Sequence, residues 1–197
     1  MRCRMKHEES TLKTKKALAL SLRHFMEKKP LSKITVSEII ADCGVNRKTF
    51  YYHFENIYAL LKWMLEDEAI EVVKKFDLMT NFPEAVLFVL DYVRTNKHLL
   101  CCAYDSIGRD EMKRFFYADF IGIMKKVIED TENRLHLHIK ADFLEFLSHL
   151  YTEALAGLLI DEFTGKTSHD PETAVKYLTL VLQNSLPGVL KSAAEEF

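Results

Sequence analysis

Apolar residues recur along this chain at spacings of three and four, the signature of helices that each bury one face. Ala17, Leu18, Ser21, Leu22, Phe25 and Met26 form one such face on a helix expected from about Leu12 to Lys28, ended by Pro30. Val36, Ile39, Ile40 and Cys43 mark a short second helix. Leu60, Leu61, Met64, Leu65, Val72 and Val73 mark a long one from Asn56 to about Phe76. Further helices are expected from Asn81 to about Thr95, around Lys97 to Tyr104, from Arg109 to Glu132, and from about Lys140 to Phe163. Asp170-Pro171 opens a last one, with proline at the first helical position, and Pro187-Gly188 should break it near its end. The fold class is all-α.

The stretch from Thr35 to Phe54, TVSEIIADCGVNRKTFYYHF, narrows the reading most. Thr35 and Glu38 form a capping box. Gly44 can take positive φ after the last turn, and Val45 plugs the angle between two helices. Asn46 caps a second helix with Arg47, Lys48 and Thr49 in its first turn. Phe50 and Phe54 face inward, leaving Arg47, Lys48, Tyr51, Tyr52 and His53 for the other faces. Cations, a hydroxyl and phenols on a short packed helix suit a DNA major groove: Arg47 and Lys48 for phosphate or guanine, Thr49 for a base edge, and Tyr51, Tyr52 and His53 for phosphate and sugar. The same helix pair also serves structural roles, so the residues alone favour DNA binding without compelling it.

Charge sharpens the division. The chain carries a net charge of -2, but residues 1–65 hold 13 Lys or Arg against 6 Asp or Glu, while residues 66–197 hold 14 against 23. A basic module suits a polyanion, and the acidic remainder argues against a second nucleic-acid surface. The domains are read as a flexible basic tail over 1–10, a helix-turn-helix domain over 11–65, and a helical regulatory and dimerisation domain over 66–197. Lys13, Lys15 and Lys16 serve either as solvated surface or as phosphate contacts.

From about Thr11 to Leu65 the chain resembles the DNA-binding domain of the TetR family of bacterial transcriptional regulators. The resemblance rests on Ala17-Leu18, Phe25, Thr35, Ile39, Ala41, Gly44-Val45, Tyr51-x-His53-Phe54 and Ala59-Leu60-Leu61. It implies an N-terminal three-helix helix-turn-helix domain followed by a C-terminal bundle for ligand binding and dimerisation. Thr35, Ser37, Asn46, Arg47, Lys48, Thr49, Tyr51, Tyr52 and His53 are then the DNA-binding residues. The family usually places a lysine where this chain has Ile57, so one phosphate clamp is missing and Asn56 with the first amides of its helix must stand in. The implied function is a homodimeric repressor released from a palindromic operator by a small effector. The Thr-Phe-Tyr-Tyr-His-Phe stretch also looks like a sub-branch that includes regulators of dihydroxyacetone-kinase operons. That supplies the alternative: an activator, or a regulator signalled through a partner protein.

The last two long helices are apolar over more than one face, so pairing them across a twofold axis into a four-helix bundle is the economical way to cover them. Ligands of the family bind between helices of this domain, and Tyr92, Tyr104, Tyr117, Phe120 and Tyr151 are the candidate ligand residues, since buried phenols need hydrogen-bond partners. Adjacent Cys101 and Cys102 read most simply as small core residues, with a thiol sensor as the alternative. His136-x-His138 lacks a convincing third ligand, so no metal is expected. No cofactor or enzyme motif is present, and the charged N-terminus and lack of a spanning apolar run point to the cytoplasm.

Overall fold

The computed structural model describes residues 2–78, 80–167 and 169–196, with side chains from residue 9 onward within those ranges. All regular structure among them is helical. Helix α1 spans Arg2–Met26 and leads through a 3₁₀ turn (Leu31–Lys33) to α2 (Val36–Cys43), α3 (Arg47–His53) and α4 (Ile57–Leu65). A π turn (Glu66–Ile70) and the short α5 (Glu71–Val73) follow. The rest is α6 (Phe82–Thr95), α7 (Lys97–Arg134), α8 (Ala141–Thr164) and α9 (Pro171–Glu196).

Three boundaries differ from those the periodicity suggests, each for a physical reason. Helix α1 begins at Arg2 rather than Leu12, so residues 2–10, expected as a flexible tail, form its opening turns. They contain neither glycine nor proline and are rich in good helix formers, and nothing stops a nucleated helix from extending backward. The helix expected from Asn56 to Phe76 is interrupted by the π turn, which coincides with three successive acids. Those acids find cations: Lys62 with Glu66 at 3.5 Å, Lys16 with Asp67 at 3.6 Å, and Arg23 with Glu68. Finally, α9 continues through Pro187 to Glu196. Proline removes one backbone hydrogen bond there, but buried Leu186, Leu190 and Ala193 hold the helix on both sides of it. Between the two expected helices around 104–109, α7 is broken at Gly108, whose φ of 82° and ψ of 170° only glycine adopts readily.

The chain divides into two compact units. The first comprises the residues up to Glu68 together with His98–Gly108, so the chain returns to it after leaving. In it α1 packs on α2 and α4, and α2 on α3, around fully buried Leu18, Leu22, Ile39, Phe50, Leu60 and Leu61. The second comprises Ala69–Lys97 and the residues from Arg109 onward. There α6 packs on α8 and α9, and a core forms from Met124, Val127, Ile128, Leu147, Leu186 and Leu190.

Candidate nucleic-acid interface and regulatory cavity

The two helices around Gly44 are fixed by caps at both ends of their junction. Thr35 Oγ1 accepts from the Glu38 amide at 3.3 Å, and Glu38 Oε2 accepts from the Thr35 amide at 2.9 Å. Lys29 Nζ donates to the other Glu38 oxygen at 2.6 Å. This Lys29 hydrogen bond, and those from Thr35, hold the Glu38 carboxyl at about 2. A depressed carboxylate stabilises the fold fully above its unfolded value of 4.5 and loses that contribution as pH falls toward 2. Glu38→Gln keeps a side chain able to close the capping box but should flatten the decline of thermal stability across that window, measured by melting curves at stepped pH. A variant curve as steep as the parent's would assign the acid sensitivity elsewhere.

Gly44 sits in the left-handed region at φ 66°, and its amide and that of Val45 both donate to Ile40 O, closing the turn. Asn46 then caps α3: its Oδ1 accepts from the Thr49 amide at 2.8 Å and from Thr49 Oγ1 at 3.1 Å. Phe50 is wholly buried and Phe54 nearly so, with rings 6.1 Å apart. These anchors turn the remaining face outward. Tyr52 is 71% exposed and Tyr51 49%. Arg47 lies 5.7 Å over the Tyr51 ring and donates to Ser37 Oγ at 3.4 Å, which links the exposed faces of α2 and α3. Asn46, Lys48, Thr49, Tyr51 and Tyr52 line one shallow concavity.

Structure thus sorts the nine sequence-derived DNA residues by role. Arg47, Lys48, Tyr51 and Tyr52 present exposed tips, and Ser37 stands beside Arg47. Thr35, Asn46 and Thr49 engage their oxygens in caps that set the helix ends. His53 is half-buried, its ring edge-on to Tyr52 at 4.9 Å. At the Ile57 position, Asn56 Oδ1 accepts from the Ala59 amide at 2.9 Å, so α4 is capped without a lysine. Lys15 lies over the rings of Phe54 and Trp63 at 5.4 and 5.3 Å, and Lys16 pairs with Asp67, which gives both lysines structural partners.

Cys43 and Cys102 donate to the carbonyls of Ala17 and Lys29, and burial pushes both thiols upward. His136 and His138 are exposed in the loop before α8.

Within the second unit, α6, α7, α8 and α9 surround a cavity of about 380 Å³. Its lining is almost wholly apolar: Val86, Val89 and Leu90 from α6, Phe120, Ile123 and Met124 from α7, Leu155 and Leu159 from α8, and Ala174 and Leu178 from α9. Polar groups gather at one corner, where Glu162, Thr167, His169 and Tyr177 line it. Arg94 closes that corner by donating to Glu162 Oε1 at 3.3 Å and to His169 O at 2.7 Å. Of the five residues expected to hold a ligand, Phe120 lines the cavity and Tyr92, Tyr104, Tyr117 and Tyr151 do not. The phenols are committed elsewhere: Tyr151 Oη bonds Ser185 Oγ at 2.8 Å, and Tyr117 bonds His149. Most of the residues that do line it are ordinary apolar core types, which no local sequence signal sets apart.

Two family models match the chain. One, described as bacterial regulatory proteins of the tetR family, covers residues 22–64. The other, a transcriptional regulator C-terminal region, covers residues 80–184. The chain is 26% identical over 127 residues to the HTH-type dhaKLM operon transcriptional activator DhaS of Lactococcus lactis subsp. lactis (strain IL1403). That match spans 64% of this chain and 66% of the relative, just under two thirds of its length. Among solved structures, a dihydroxyacetone kinase operon activator DhaS superposes with a TM-score of 0.65 at 21% identity, covering 92% of this chain and 98% of the other. NalD, the secondary repressor of the MexAB-OprM multidrug efflux pump in Pseudomonas aeruginosa, superposes with a TM-score of 0.54 at 20% identity, over 86% of this chain and 94% of its own.

Proposed function

From the premise that this chain belongs to the TetR family of transcriptional regulators, we propose that it is a homodimeric repressor that reads a palindromic operator through α3 and is released by a small effector held in the cavity of the second unit. The observation that carries the DNA reading is the exposed Arg47, Lys48, Tyr51 and Tyr52 face of a helix anchored by buried Phe50. Arginine and lysine supply phosphate or guanine contacts, and the phenols add donors whose rings pack on sugars. The residues over 11–65 act as the DNA-binding domain and those over 66–197 as the regulatory and dimerisation domain, apart from 66–68 and His98–Gly108, which belong to the first compact unit. No enzymatic role is assigned, and the site of action is the cytoplasm, where the operator is.

Pairing is supported by an apolar surface on α8 and α9. Phe146 and Leu150 are exposed on α8 at helical spacing, and Leu180 on α9, together with Leu158, Tyr177 and Val181, which also line the cavity. Helix α8 is long and apolar enough to cross a membrane by length and composition, but its exposed apolar side is what a second copy would cover. A twofold dimer then demands half-sites related by a dyad, about one helical turn of 10–10.5 base pairs apart or slightly more.

A second reading is favoured by the curated relative, which is named as a transcriptional activator. On that reading the sign of control is reversed, or the signal arrives through a partner protein. Fluorescence anisotropy with the chain's upstream DNA, combined with sedimentation and a promoter reporter, tests both. The repressor reading expects two protomers per palindrome, a salt-sensitive affinity, and higher reporter output when the protein is absent. Lower output in its absence would establish the activator reading, and equal binding to scrambled DNA would sink operator recognition.

A further inference from the structure

We propose that the cavity among α6, α7, α8 and α9 takes a neutral ligand with an extended apolar body and a single hydroxyl- or amide-type head, the head lodged at the corner of Glu162, Thr167, His169 and Tyr177. The proposal rests on the reading of this chain as an effector-controlled regulator and specifies the effector's chemistry. The cavity has depth: Phe82, Ala85, Leu90, Met124 and Val127 line it and are themselves buried. Its volume of about 380 Å³ falls in the usual range for small-molecule sites. Apolar walls facing an unfilled space forfeit dispersion contacts, so collapse is favoured unless something holds the walls apart. Polar struts do so here. Arg94 ties α6 to Glu162 of α8 and to the His169 carbonyl ahead of α9, and Arg109 of α7 pairs with Asp161 of α8 at 3.0 Å.

The same struts decide the ligand's charge. Glu162 is the one carboxylate among the described lining residues, none of which is lysine or arginine, and its charge is answered by Arg94. An anionic ligand would face the Glu162 carboxylate at a corner whose Arg94 guanidinium is already paired with it. A polyol would leave most of its hydroxyls against apolar carbon, each unpaired group costing free energy. One polar head is different. Thr167, His169 and the Tyr177 phenol bring hydroxyl and imidazole groups to a single end, with the His169 ring 5.5 Å from Tyr177. The apolar body then extends toward Phe120 and Met124.

The test titrates the full chain with 1-hexanol, 1-octanol and 1-decanol, against decanoate and glycerol, following heat of binding by calorimetry and melting temperature. Saturable binding is expected for the alcohols, tightening about fourfold per added methylene until the cavity's length is reached. Decanoate should bind at least tenfold more weakly than decanol, and glycerol should not bind. Ala174→Phe, which places a ring in the cavity, should weaken decanol at least tenfold, and Val86→Phe repeats the measurement from another wall if the first variant melts abnormally. Absence of saturable alcohol binding, equal binding of decanoate, or undiminished binding in both filled variants would overturn the proposal. Operator anisotropy in the same titrations separates the two levels. Alcohol binding that leaves operator affinity unchanged upholds the ligand chemistry and removes effector control.

Discussion

Replacing Arg47 and Lys48 together with alanine is expected to weaken operator binding by about 30-fold to 10⁴-fold, since each base or phosphate contact of this type contributes roughly 1–3 kcal/mol. The log-log salt slope should also fall by about 2 in magnitude if both side chains neutralise phosphate, and by less if one of them reads guanine. Folding should be nearly unaffected, because both residues are exposed and surface changes of this kind stay within about 0.5 kcal/mol. Arg47 does lose its contacts with Ser37 and the Tyr51 ring, so single variants are informative. Arg47→Lys keeps the charge but not the flat guanidinium, and it should restore the salt slope without restoring sequence preference. Operator anisotropy across a range of salt concentrations is the measurement. An unchanged affinity and slope in the double variant would show that α3 is not the reading helix.

The parts of this molecule that were legible in the sequence are those whose determinants lie within a few residues. Thr35 with Glu38, Gly44, and Asn46 with Thr49 each specify a local geometry, and the structure shows the corresponding cap or turn at each. The burial of Phe50 and Phe54 follows from their spacing on a short helix. Where the pattern had no apolar stake, boundaries slipped. The opening turns of α1 carry no hydrophobic period to announce them, and the acids of the π turn meet cations 45 and 51 residues away, in Arg23–Glu68 and Lys16–Asp67. The cost of Pro187 to a helix is local and visible in the sequence, whereas the packing of Leu186 and Leu190 that offsets it is tertiary.

The cavity was the least legible feature. Its lining comes mostly from four helices spread over more than a hundred residues, and most contributors are ordinary apolar core types. A buried phenol is a ligand anchor only while it lacks a partner within the fold. In the folded chain Ser185 and His149 already supply partners to Tyr151 and Tyr117. The residue that shapes the cavity's polar end, Arg94, lies on a helix that reads as simply amphipathic, and it acts through Glu162 and His169, at least 68 residues away in sequence. Separation of that kind leaves no trace in spacing.

The proposed dimer supplies the other large effect. Leu150→Arg combined with Leu180→Arg should convert the protein to a monomer at micromolar concentration, because each substitution brings an unpaired charge, and its twofold copy, into a surface that association would dry. Both side chains are more than half exposed within one protomer, so the monomer's own stability should change little. Operator affinity should then fall by about 10²- to 10⁴-fold, the loss expected when two linked half-site contacts become independent ones. Binding to an isolated half-site should be unaltered, which distinguishes lost pairing from a damaged reading helix. Glu129→Arg, an exposed charge reversal on α7, serves as the control for added positive charge, which by itself would favour DNA. Sedimentation and anisotropy on the same preparations decide the matter. A double variant that stays dimeric and binds the palindrome as before would place the interface away from α8 and α9, and the apolar stripe of Phe146, Leu150 and Leu158 would then need a different occupant.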